Sequence, residues 1–83
     1  MPNYYFEINS IQGTLHTLEL QDGKCVGTII DSDGKIVHFW ANITLYDALN
    51  SAIGKSIYAT IVTRYNNDAG KIDDVQIVKT FIK

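Results

Sequence analysis

The chain has 83 residues, of which 46% are hydrophobic and 19% are charged, a composition typical of folded globular domains and not of disordered chains. Its formal net charge is −2, which argues against a protein that holds nucleic acid mainly by neutralising phosphates. A local basic patch is still compatible with that charge. We expect one domain over residues 1–83, with a core of modest size.

The cysteine count and the hydropathy of the chain indicate the cellular compartment in which the domain functions. The sequence has one cysteine, Cys25, so no internal disulfide can form, and we expect its side chain to be a small hydrophobic group of the core. The N-terminus lacks the apolar run of a signal peptide, and no stretch of the chain has the length of a membrane span. The sequence therefore predicts a cytoplasmic protein that has no membrane partner.

The first segment, Tyr4 to Leu20, has the alternating pattern of a β-strand and is interrupted at Gly13. Before the glycine, alternation places Tyr4, Phe6 and Ile8 on one face and Tyr5, Glu7 and Asn9 on the other. After the glycine, it places Leu18 and Leu20 on one face and Thr17 and Glu19 on the other. A glycine inside a strand pattern often marks a bend, so Gly13 either bends one long strand or separates two.

A hairpin follows the turn at Asp22-Gly23. Its strands, Cys25 to Ile30 and Lys35 to Ile43, flank the loop Asp31-Ser32-Asp33-Gly34. This loop fits a type I turn that is closed by a left-handed glycine. Such a loop fixes the register, and the resulting pairs are Val26 with Trp40, Gly27 with Phe39, Thr28 with His38, Ile29 with Val37, and Ile30 with Ile36.

The second strand of the hairpin has two faces of different character. The core face carries Val37, Phe39, Ala41 and Ile43, and the opposite face carries Ile36, His38, Trp40 and Asn42. The hairpin therefore presents an apolar and aromatic outer surface made of Val26, Thr28, Ile30, Ile36, His38 and Trp40. A slip of one residue would exchange the two faces and place Trp40 in the core instead.

A helical segment and two strands complete the chain. Thr44 is the expected helix N-cap, with Asp47 at the third helical position, and Gly54 fits the C-cap. The apolar stripe of the helix is Leu45, Ala48, Leu49, Ala52 and Ile53. The next strand runs from Ser56 to Tyr65, with Ile57, Ala59 and Ile61 on one face and Tyr58, Thr60, Val62 and Arg64 on the other. The loop Asn66–Gly70 leads to the last strand, Ile72 to Ile82.

The order of these elements is a long bent strand, a hairpin, a short helix and two more strands. This mainly β chain with one short helix resembles the OB-fold, a five-stranded Greek-key barrel with a helix between its third and fourth strands. The resemblance covers nearly the whole chain and rests on element order, without a diagnostic motif. A six-stranded SH3-like barrel is the alternative if Gly13 separates two full strands.

The residues that could support catalysis do not form a catalytic set. In the hairpin register, Cys25 and His38 point to opposite faces, so they are not a nucleophile–base pair. Asp73 and Asp74 are adjacent on a strand and therefore diverge. The loop at Asp31 resembles a fragment of a calcium loop but lacks its later glutamate and flanking helices. We predict a protein that is not an enzyme and needs no cofactor or metal.

Resemblance to the OB-fold implies a ligand site on the face of strands two and three. On this chain that face holds Val26, Thr28, Ile36, His38 and Trp40, with Tyr58 and Arg64 as an extension and Lys24 and Lys71 in the framing loops. An aromatic ring there could stack a nucleobase, with the lysines near backbone phosphates. The implied partner is single-stranded DNA or RNA, although Asp22, Asp68 and Asp73 beside the two lysines weaken a positive potential.

A protein partner or a homodimer on the same apolar face is the alternative, and the near-neutral charge fits it better. Exposed tryptophan is common at protein interfaces. Salt separates the two predictions, because nucleic-acid affinity falls with salt while an apolar contact barely changes. The C-terminal segment Thr80-Phe81-Ile82-Lys83 could also pair with another chain at an open sheet edge, which Lys79 and Lys83 discourage.

Overall fold

The computed structural model of the chain describes residues 3–68 and 70–82, with the backbone alone described at positions 73 and 82. The predicted role of Lys83 at the C-terminal edge therefore lies outside the described residues. The protein is mainly β, with one helical segment between the third and fourth strands. Its elements are β1 (Tyr4–Gln21), β2 (Lys24–Asp31), β3 (Ile36–Asn42), a 3-10 turn (Ile43–Leu45), α1 (Tyr46–Ser51), β4 (Ser56–Asn66) and β5 (Lys71–Ile82).

The strands form one mixed sheet, five strands of which follow one another around a nearly closed ring. Their order is β1-β2-β3-β5-β4, with β4 returning to β1. The contacts of β1 with β2 and β4, of β2 with β3 and of β4 with β5 are antiparallel. The parallel contact between β3 and β5 closes the ring and is short, pairing Trp40 with Gln76 and Ala41 with Ile77.

Gly13 lies where β1 changes partners. β1 is continuous through this residue, pairing with β4 over Tyr4–Thr14 and with β2 over Gly13–Gln21. A Cβ at Gly13 would overlap the carbonyl oxygen of Ile30, so no larger residue fits between the two neighbouring strands. One continuous strand thus supplies two segments of the sheet, one on each side of Gly13.

The β2–β3 hairpin has the predicted register at every predicted pair, including Val26 with Trp40 and Gly27 with Phe39. Gly34 has a φ of 83°, and its N–H donates to the carbonyl of Asp31 at 3.0 Å. The carboxylate oxygen Oδ1 of Asp31 accepts from the backbone N–H groups of Asp33 and Lys35 at 2.9 Å. This carboxylate therefore stabilises the loop.

The core lies inside the ring and beneath the helical segment. It is formed by buried apolar side chains from all five strands and the helical segment, namely Leu15, Cys25, Ile29, Phe39, Ala41, Leu49, Ala52, Ile57, Ala59, Ile61 and Ile77. The predicted inward face of β4 and the buried position of Cys25 are both confirmed. Burying each of the larger side chains contributes about 1.5–3 kcal/mol to folding.

The helical segment differs from the sequence-based expectation at its start. β3 ends at Asn42, and this residue, not Thr44, is the N-cap: its side-chain oxygen accepts from the N–H of Thr44 at 3.1 Å. Because the strand has ended, alternation no longer applies to Ile43, whose side chain is 47% exposed and not in the core. Ala48 and Ile53 also face solvent, so their predicted place on the buried stripe is wrong.

The inward positions predicted for the helical segment are confirmed at three residues. Leu49 and Ala52 are buried, and Leu45 is half-buried against the core. Gly54 has a φ of 83° but lies two residues beyond the observed C-cap, Ala52, so the prediction of Gly54 as the C-cap is wrong. Its N–H donates to the carbonyl of Leu15 at 2.7 Å, which fastens the end of the helical segment to β1. Within the described residues, no helix has the length and apolar character needed to cross a membrane.

Cys25 offers a simple test of this packing. Its side chain is fully buried, and burial raises the pKa of its thiol, so both access and thiolate formation are suppressed. We expect a disulfide-exchange reagent at pH 8 to modify the native protein at least tenfold more slowly than the urea-unfolded protein. Equal rates in the two states would contradict the burial of Cys25 in the core.

Candidate binding groove

An open groove of about 880 Å³ lies on the outer surface of β2 and β3. Its sides come from the second half of β1, through Thr17, Glu19 and Gln21, and from the start of β5, through Ile72 and Asp74. We call this surface the outer groove. The β1 side is tied to β2 by a hydrogen bond of 2.7 Å between the hydroxyl groups of Thr17 and Thr28.

Most of the predicted site residues meet in the outer groove. The hairpin contributes Lys24, Val26, Thr28, Ile36, His38 and Trp40. They converge because strand alternation directs every second side chain of β2 and β3 away from the core, while their neighbours Cys25, Phe39 and Ala41 are buried. All residues of the predicted outer face of the hairpin except Ile30 therefore line one groove.

Trp40 is held in a fixed orientation at the centre of this surface. Its side chain is half-buried, and its indole N–H donates to Oδ2 of Asp74 on β5 at 2.7 Å. The ammonium nitrogen of Lys24 lies 5.3 Å from the centroid of the ring, within the range of a cation–π contact. Two different strands thus position one aromatic ring at the groove surface.

The remaining predicted residues lie elsewhere. Tyr58 is near the start of β4, where it pairs with Gln12 and Phe81. The guanidinium carbon of Arg64 lies 4.9 Å from the centroid of the Tyr4 ring. Lys71 is the exposed first residue of β5, and the lining of the outer groove includes none of these three.

The structure adds two acidic residues that sequence reasoning did not place in the site. Glu19 was expected on the polar face of β1, but its position opposite Val26 follows from the β1–β2 register, which the sequence did not fix. Asp74 reaches Trp40 because of the short parallel contact between β3 and β5. The sequence feature that could have placed Glu19 on the outer surface is its alternation with Leu18. We find no local sequence feature that places Asp74 in the groove.

The charges of the outer groove nearly balance. Among its lining residues the charged groups are the carboxylates of Glu19 and Asp74 and the ammonium of Lys24. Val26, Ile36, Trp40 and Ile72 give it an apolar surface, so it suits a planar or apolar group better than a phosphate. The described part of the chain contains no cluster of three or more side chains that could hold a metal ion.

No protein-family model, no curated protein and no solved structure matches this chain. Its function is therefore argued from the side chains of the outer groove.

Proposed function

We propose that this protein is a small, non-enzymatic module of the OB-fold type that binds single-stranded DNA or RNA in the outer groove. The ring of five strands and the helical segment between β3 and β4 support the fold. The observation that carries the function is Trp40, a half-buried ring fixed by Asp74 at the surface of an open groove. A nucleobase can stack on such a ring without first ordering it.

Stacking requires the nucleobase to displace Lys24 from the indole ring. The cation–π contact at an exposed site contributes about 0.5–1 kcal/mol, while stacking of a base on an aromatic side chain contributes about 1–3 kcal/mol. Stacking of a nucleobase on Trp40 is therefore more favourable than the contact of Lys24 with the ring. The displaced ammonium remains within the groove, where it can contact a backbone phosphate. Lys24 thus contacts the indole ring in the free protein and a phosphate in the complex.

The acidic residues set limits on the affinity. Glu19 and Asp74 repel phosphates, and Lys24 is the one cation among the groove-lining residues of the described chain. Each phosphate neutralised on a single strand contributes about −0.7 to the slope of log K against log salt. We therefore expect a slope near −0.7, far shallower than that of a basic nucleic-acid-binding domain.

Docking of a protein segment or of a second copy in the outer groove is the other candidate function. The observation that favours it is the balance of Glu19 and Asp74 against Lys24. Ile36 and Ile72 are 61% and 53% exposed at the groove, which is the kind of apolar surface that a protein contact covers. Such a contact changes little with salt.

Titration of the intrinsic tryptophan fluorescence with oligothymidine distinguishes these functions. Trp40 is the one tryptophan in the sequence, so a stacked base quenches the whole signal. We expect saturable quenching at 20 mM salt that weakens about fivefold at 200 mM salt, since a slope of −0.7 over a tenfold range corresponds to that change. An unquenched, solvent-exposed tryptophan at both salt concentrations would reject nucleic-acid binding and favour the protein partner.

A further inference from the structure

The first half of β1 is an open edge of the sheet. Between Tyr4 and Gln12 the strand pairs with β4 on one side, and pairing with β2 on the other side begins at Gly13. Among the described residues, no backbone hydrogen bond from another element reaches that second side. Every residue from Tyr4 to Ser10 is exposed. An uncovered row of backbone N–H and C=O groups is thus available to another strand.

This edge lacks the features by which proteins normally prevent such pairing. The segment from Tyr4 to Ser10 contains no proline and no lysine or arginine. Its apolar side chains are very exposed, at 65% for Phe6 and 74% for Ile8. Its one charged residue, Glu7, accepts hydrogen bonds from the side-chain amide of Asn9 at 3.3 Å and from Tyr65. Glu7 is thus the single charge on this edge, without the lysine that is the commonest edge protection.

The sequence of the edge is complementary to itself. In an antiparallel pair centred on Phe6, directly opposite residues share a face of the sheet. The resulting pairs are Phe6 with Phe6, Tyr4 with Ile8, Tyr5 with Glu7, and Asn3 with Asn9. One face pairs aromatic and aliphatic side chains, and the other pairs phenol with carboxylate and amide with amide. The two Glu7 side chains, which would repel each other in a register centred on them, are not opposite one another.

We propose that a second copy of this chain occupies the edge, forming a two-fold symmetric dimer through antiparallel β1–β1 pairing centred on Phe6. The two sheets then join into one, in the order β5-β4-β1-β1-β4-β5. The outer groove uses Thr17–Gln21 of β1 and stays open in this dimer. The inference is therefore independent of the proposed nucleic-acid binding, and either can fail without the other.

A two-fold pair is favoured over a chain of copies. An isologous contact closes on itself, whereas β1 pairing with the β5 edge of another copy would leave both ends free and produce open filaments. The last residues of β5 pair with β4 alone, but Lys79 lies in that part of the strand, and its ammonium is 4.9 Å from the Phe81 ring. A lysine is a common protection of a sheet edge, and Tyr4–Ser10 has none.

Sedimentation velocity of the full chain tests the dimer. For the wild type, we expect the mass to rise with concentration from 9.3 kDa to twice that value and no further. Phe6→Lys places two ammonium groups opposite each other, so this variant should remain monomeric at every concentration. Phe81→Lys is the matched control, since Phe81 is also an exposed phenylalanine, at 52%, on the other open edge, and it should dimerise like the wild type.

Disulfide trapping tests the register. Phe6→Cys brings two thiols directly opposite, within the Cα separation that a disulfide allows. Ile8→Cys, at an even more exposed position, places its thiols four residues apart along the strand, about 13 Å. Under mild oxidation we expect rapid cross-linking of Phe6→Cys and at least tenfold slower cross-linking of Ile8→Cys, with Cys25 buried and unreactive in both.

Several results would overturn the inference. A wild type that stays monomeric at 1 mM, or masses beyond the dimer, would reject the symmetric pair. Loss of the dimer in Phe81→Lys but not in Phe6→Lys would assign the interface to β5. Equal cross-linking of the two cysteine variants would reject the register. Should Phe6→Lys fail to fold by circular dichroism, Tyr5→Glu replaces it, because it places a carboxylate opposite Glu7 of the second copy at both symmetric positions.

Discussion

Gly27→Ala is expected to lower the free energy of unfolding by about 3 kcal/mol or more. A Cβ at this position would overlap the carbonyl oxygen of Thr17 and would lie 2.9 Å from Cζ of Phe39. The first of these atoms belongs to the backbone of β1, so it cannot move without disrupting the β1–β2 ladder. Overpacking typically costs 1–3 kcal/mol when side chains can adjust, and a backbone obstacle places this variant at the upper end.

Urea unfolding followed by circular dichroism measures the effect, and Gly23→Ala is the control. Gly23 has a φ of 78°, and a Cβ at this residue would have no neighbouring atom within 4 Å, so alanine there costs only the strain of a left-handed conformation, about 1–2 kcal/mol. A domain of this size has a total stability of roughly 5 kcal/mol, so Gly27→Ala removes most of it. Equal midpoints for the two variants would mean that β1 and β2 are farther apart than the structure has them.

The β2–β3 hairpin could be predicted in full because everything that determines it is local. The loop Asp31–Gly34 sets the turn type, and the turn sets the register of all the following pairs. Trp40 was therefore placed on the outer face correctly. The contact of β3 with β5 joins residues that are distant in sequence, through two pairs alone. No pattern within either strand encodes that contact, so the hydrogen bond from Trp40 to Asp74 could not be foreseen.

The helical segment and the first half of β1 also differ from the sequence-based expectation, and both differences have physical causes. The helical segment begins with a 3-10 turn over Ile43–Leu45, which has 3.0 residues per turn and not 3.6. The α-helix that follows ends at Ser51, with Ala52 as its C-cap, so helical periodicity does not extend to Ile53. The buried stripe is narrower than expected, and Ala48 lies on its exposed side. In the first half of β1, alternation identified a strand correctly but carried no information about what covers each face, and Phe6 and Ile8 remain exposed.

Trp40→Ala is expected to weaken binding of oligothymidine by about 5- to 150-fold while leaving the protein folded. Loss of one base stack costs about 1–3 kcal/mol, and each 1.4 kcal/mol is a factor of ten in affinity. The indole is half-buried and outside the core cluster. Its removal leaves Asp74 without the 2.7 Å hydrogen bond but facing an open groove that water can enter, so we expect a loss of stability of only about 1–2 kcal/mol.

Anisotropy of a labelled oligothymidine measures this affinity without relying on the deleted fluorophore. Trp40→Phe separates the two roles of the ring, because it keeps the stacking surface and removes the donor to Asp74; we expect it to retain most of the affinity. Phe81→Ala removes an exposed aromatic side chain outside the groove and should bind like the wild type.

If Trp40→Ala instead unfolds, the indole is a structural link between β3 and β5. If it binds as tightly as the wild type, oligothymidine does not stack on the indole ring. That result would favour a protein partner in the apolar groove.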